Sequence, residues 1–87
     1  MNVHFLFNNN VYIDEALVGY IDPIGDGDAA IWISKKKFAR LTAEGEILIS
    51  GKLVGYIEDN GDVFFGDKLV GEITPQNDIK FYGKALG

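Results

Sequence analysis

Runs of about five residues rich in Val, Ile, Phe and Tyr follow one another along the chain, with short polar segments between them. Lys52-Leu53-Val54-Gly55-Tyr56-Ile57 and Val63-Phe64-Phe65 are two such runs, and Ser50-Gly51-Lys52 and Asp59-Asn60-Gly61 are two of the polar segments. β-Branched and aromatic residues in short runs predict strands. Asn and Gly between them supply the positive φ that hairpin turns demand.

The pattern repeats every sixteen residues. Lys36, Lys52, Lys68 and Lys84 form one column, and Phe38, Val54, Val70 and Leu86 another. Ala39, Gly55, Gly71 and Gly87 come next, then Leu41, Ile57 and Ile73. Leu17-Val18-Gly19-Tyr20-Ile21 matches Leu53 to Ile57 from 36 residues earlier, two periods plus four, the extra residues falling between Asp22 and Asp28. Val11-Tyr12-Ile13 and Ile31-Trp32-Ile33 fill the second-strand slot, and Phe5 the slot of Leu41. A repeat this short is one supersecondary unit stacked on its neighbours.

Three turn residues, five strand residues, three and five again make sixteen. A loop at Asp59-Asn60-Gly61 then pairs Ile57 with Val63, Tyr56 with Phe64 and Gly55 with Phe65. This register predicts Leu53, Ile57, Val63, Phe65 and their repeats on one buried face; a slip by one residue would scatter them over both. Glycines 55 and 71, each between two large side chains, predict a strongly coiled sheet. Ser34 to Glu44 has a helix-like cap and spacing, but the repeat makes Lys37 to Leu41 a strand. The expected architecture is an all-β antiparallel meander of about ten short strands from five hairpin repeats. It closes as an up-and-down barrel or curls into a sheet that dimerises, and residues 1–87 form a single β-repeat domain.

The opposite face of that sheet carries Tyr12, Tyr20, Trp32, Leu48, Tyr56 and Phe64, with a column of Val18, Val54 and Val70. Only Arg40, Glu72 and Lys80 interrupt it. A sheet face exposed to water is ordinarily polar, so an aromatic one is covered by the chain itself, by a second copy, by a protein partner or by a ligand. Tyr12, Tyr20, Trp32, Tyr56 and Phe64 are therefore the candidate binding residues.

The units Lys52 to Phe65 resemble short bacterial tandem β-hairpin repeats, in which an apolar-Gly-x-Ile strand alternates with an Asp-Gly turn. The resemblance spans residues 11–87 and implies a structural repeat. The units lack the Trp-Tyr-Tyr run of choline-binding repeats and the Tyr-x-Gly pattern of membrane-occupation repeats, and no functional residue is carried over.

Eight basic against thirteen acidic side chains give a net charge of −5, the wrong sign for a nucleic-acid backbone binder. No apolar run approaches the ~20 residues that span a bilayer, and Met1 to Asn10 lacks the basic start and cleavage site of a signal peptide. A cytoplasmic location is expected. There is no cysteine, and His4 is the sole histidine, so neither a thiol nucleophile nor a His pair for a metal exists. Ser34 and Ser50 lie at turns outside any Gly-x-Ser-x-Gly, and no catalytic residue is assigned. Asp22, Asp26 and Asp28 could gather around Ca²⁺, but they lack the EF-hand spacing and read as a widened hairpin loop. No cofactor or metal is expected. The expected function is a non-catalytic binding or assembly module, acting on a protein partner or by homo-oligomerisation. The alternative is a small-ligand or carbohydrate-binding domain.

Overall fold

Successive hairpins join edge to edge into a closed barrel of nine strands in a computed structural model that describes residues 3–86. The strands are β1 Asn10–Ile13, β2 Ala16–Gly25, β3 Asp28–Ile33, β4 Lys36–Leu41, β5 Glu46–Ile49, β6 Lys52–Ile57, β7 Asp62–Phe65, β8 Lys68–Ile73 and β9 Ile79–Phe81. A 3-10 turn, His4–Leu6, precedes them, and a one-turn helix α1, Gly83–Leu86, follows. The segment with helix-like spacing is strand β4.

Nine strands, rather than ten, close the barrel. An odd meander brings its first and last strands into the same direction, so β1 and β9 pair parallel, with Val11 beside Ile79 and Ile13 beside Phe81. The slot expected for a first strand around Phe5 holds the 3-10 turn instead, and Phe5 is 41% exposed where Leu41, its counterpart in the repeat, is buried. With β1 on the edge of β9, a further strand would have no partner. Closure leaves no free edge, which removes the need for the curled sheet to dimerise along its margins.

The two ends of the barrel turn differently. At one end Ile57 pairs with Val63 and Gly55 with Phe65 around the expected three-residue loop, and Gly45, Gly61 and Asn77 hold positive φ at the equivalent positions. At the other end Ile49 pairs with Lys52, so the turn is the two residues Ser50 and Gly51, both at positive φ. The residue saved there enters the strand as a β-bulge. Leu48 pairs with Leu53 and Ile47 with Gly55, leaving Val54 as the extra residue. Val18, Phe38 and Val70 are extra in the same way.

A bulge places two residues against one and re-aims the side chains beyond it. The leucine column expected inside is therefore outside: Leu17 is 60% exposed, Leu53 62% and Leu69 42%. The valine column expected outside is inside, with Val70 buried and Val18, Val54 and Phe38 packed on the core. The remaining inward residues fall where expected, including Ile21, Ile31, Leu41, Ile47, Ile57 and Val63.

The glycine column lets strand backbones approach. A Cβ built on Gly19, Gly55 or Gly71 would overlap the carbonyl oxygen of Trp32, Phe64 or Lys80 on the next strand. The fourth position of the column is Ala39, and there the seam opens. β4 and β5 pair only at Arg40 with Leu48 and Leu41 with Ile47. The N–H groups of Ser34, Gly66 and Tyr82 donate to the carbonyls of Val18, Val54 and Val70 at 2.9, 2.9 and 2.7 Å, but Ser50 makes no such bond to Phe38.

Both ends of the barrel are stopped with apolar side chains. Val3 and Leu6 of the N-terminal turn are fully buried, and Ala85 and Leu86 of α1 pack on the core. Phe38, Phe65 and Phe81 meet with ring centroids 6.0 to 6.5 Å apart.

Candidate functional site on the outer wall

With the core filled, the chemistry on offer lies on the outer surface. Outward positions alternate along each strand, and cross-strand pairing sets their neighbours. On β1 to β3, Tyr12 stands opposite Leu17 and Tyr20 opposite Trp32. On β5 to β8, Leu48 stands opposite Leu53, Tyr56 opposite Phe64, and Phe64 opposite Leu69. The five candidate residues thus form two groups rather than one face. Tyr20 comes together with Trp32 and Tyr56 with Phe64, while Tyr12 stands on the strand beside the first pair, opposite Leu17 and Lys80.

The rings are nearly parallel in both groups. Tyr20 and Trp32 lie 6.2 Å apart at an interplanar angle of 7°, and Tyr56 and Phe64 lie 5.4 Å apart at 18°. Tyr20 and Tyr56 are exposed, whereas Tyr12, Trp32 and Phe64 are half-buried by their neighbours. The indole Nε1 of Trp32 is buried and has no hydrogen-bond partner. Leu17, Leu53 and Leu69, which strict alternation puts in the core, belong to the same walls. The sequence signal for the outward position is that Lys37 occupies their column and Phe38 the valine column, since an unpaired lysine does not sit inside a small barrel.

Charged strips separate the two walls. On β4, Lys37 stands opposite Trp32 and Arg40 opposite Leu48. Arg40 donates to Asp28 from Nη2 at 2.6 Å and from Nε at 3.0 Å, and Asp28 also accepts the Ala43 N–H. The Arg40 hydrogen bond holds the Asp28 carboxyl below the usual carboxylate range. On the far side Glu72 stands opposite Lys80, and Lys80 donates to Glu15 at 2.8 Å. A groove follows the open β4–β5 seam, lined by Lys37, Phe38, Arg40, Leu48 and Ser50.

The aspartates of the acidic segment do not converge. Asp22 lies within β2, which extends to Gly25; Asp26 is at the turn, and Asp28 is held by Arg40. Among the described residues no group of three or more His, Cys, Asp or Glu side chains is placed to hold a metal. Nor is any helix among them long and apolar enough to cross a membrane. Comparison of the chain with protein-family models, with curated proteins and with solved structures finds no match.

Proposed function

We propose that the chain is a non-catalytic assembly module that associates with copies of itself through its outer wall. The observation that supports this most is the outward leucine column. Leu53 and Leu69 flank Tyr56 and Phe64 on β6 to β8, and the bulges turn both outward, Leu53 to 62% exposure and Leu69 to 42%. Large side chains of this kind offer on the order of 100 Å² each. The wall therefore presents a few hundred Å², short of the ~800 Å² per partner of a standard stable interface. Association at micromolar or weaker affinity fits that area once the entropy of docking is subtracted.

Light scattering behind a sizing column tests the reading on wild type and on Leu53→Ser/Tyr56→Ser. The wild type is expected to exceed 9.6 kDa at high concentration and the variant to stay at it. A wild type that remains monomeric throughout would contradict self-association. The parallel Tyr20 and Trp32 rings favour a second reading, a platform for a sugar ring, which requires Trp32 emission to change on titration with oligosaccharide.

A further inference from the structure

The five residues Leu17 to Ile21 recur unchanged as Leu53 to Ile57. In the barrel the two copies lie on β2 and β6, four strands apart in a ring of nine, and so face nearly opposite directions. Each copy presents the same outward set. Leu17 lies beside Tyr12 as Leu53 lies beside Leu48, and Tyr20 lies against Trp32 as Tyr56 lies against Phe64. Arg40 and Lys37 on one side, with Glu72 and Lys80 on the other, keep the two walls from merging.

We infer that the barrel is bivalent and joins copies of itself head to tail, the β1–β3 wall of one copy seating on the β5–β8 wall of the next. The inference rests on the self-association proposed above and adds its geometry. Charge on the rims selects this arrangement. The β1–β3 wall is bordered by Lys37, the cross-strand partner of Trp32, with Lys35 and Lys36 just before it in the chain. The β5–β8 wall is bordered by Glu46, the cross-strand partner of Tyr56, and by Asp67, which shares a hollow with Leu53 and Tyr56. The cross-strand neighbours Asp62 and Glu72 border it too, and these four carboxylates outnumber Lys52 and Lys68 at the same rim. Among the described residues Lys37, Glu46 and Asp67 form no ion pair within the chain. Seating either wall on its own copy gathers like charges at one interface, whereas seating one wall on the other pairs lysine with carboxylate. A contact between different surfaces on opposite sides does not close at two copies, so it adds further ones.

Complementation by sedimentation velocity tests this. Leu17→Ser/Tyr20→Ser removes one wall and Leu53→Ser/Tyr56→Ser the other, all at exposed positions. Wild type is expected to pass twice the 9.6 kDa of one copy as concentration rises. Each variant alone is expected to stay monomeric, and an equimolar mixture to form a 1:1 dimer and stop there. A dimer formed by either variant alone, or a mixture that stays monomeric while wild type associates, would overturn the head-to-tail geometry and leave self-association standing. A monomeric wild type would remove both. Charge reversal gives a second readout that leaves the apolar wall intact. Lys37→Glu is expected to weaken wild-type association by roughly fivefold, and adding Glu46→Lys to the same chain to restore it. No recovery would count against the pairing of these rims.

Discussion

Where the repeat has Gly19, Gly55 or Gly71, the next strand's carbonyl sits where a Cβ would be; where it has Ala39, pairing between β4 and β5 stops at Arg40 and Leu48. The seam with the alanine is one residue pair shorter than the seam of β6 with β7, and the added methyl group accounts for the difference. Gly55→Ala should push β7 away from β6 and cost about 3 kcal/mol by overpacking, lowering the melting temperature by more than ~10 °C. The reverse change, Ala39→Gly, restores a hydrogen bond of about 1 kcal/mol but loses about 0.5–1 kcal/mol to glycine's chain entropy. The two nearly offset, so its melting temperature should barely move. The readout is amide exchange: the Ser50 N–H should become protected in Ala39→Gly, and unchanged exchange there would reject the methyl group as the cause. Tyr82 offers a pH test. Its hydroxyl donates to Glu72 at 2.6 Å, and that bond pushes the phenol up to about 12 from an ordinary 10.0. A raised folded-state value means that the bond's contribution is complete below pH 10 and is lost as pH climbs toward 12. The loss is expected to be modest, since the pair lies at the surface, and Tyr82→Phe should abolish it in alkaline unfolding curves.

The bulges give neighbouring apolar residues opposite roles within a single strand. Leu69 is 42% exposed and Val70 1%, although they are adjacent and similar in hydrophobicity. Val70→Ala should cost about 2 kcal/mol by opening a cavity, whereas Leu69→Ser should stay within about 0.5 kcal/mol of wild type in urea denaturation. The reverse ranking would mean that β8 carries no bulge. Here lies the limit of what the sequence made legible. The sixteen-residue period located β2 to β9, and the Asp59-Asn60-Gly61 loop fixed the pairing of β6 with β7 correctly. The bulges stayed hidden because Leu53 and Val54 are both apolar, so either can satisfy the core at the level of pattern. Only Lys37, in the leucine column, and Phe38, in the valine column, distinguished the two. The tenth strand was a different kind of miss. Phe5 falls in a strand slot of the repeat but lies in the 3-10 turn, because closure of β1 onto β9 is a property of the whole ring that no single unit encodes.

The candidate residues were legible as an aromatic outer set, but their division into two walls depends on barrel curvature, which a flat register omits. Curvature also changes what covering them requires. A flat sheet could hide one aromatic face against one partner, whereas Tyr20 and Tyr56 on opposite walls need two. Both walls keep a tyrosine and a leucine in the open while Ile21 and Ile57, next in the chain, are buried inside. The assembly reading therefore requires the two walls to be engaged together. Methyl-resolved NMR over a dilution series measures this directly, with Leu17 and Leu53 as reporters and the fully buried Leu6 as internal reference. As concentration rises, the Leu17 and Leu53 methyl resonances are expected to shift with a common midpoint while Leu6 stays fixed. If neither leucine moves over the whole range, the outer walls do not mediate association and the account is wrong.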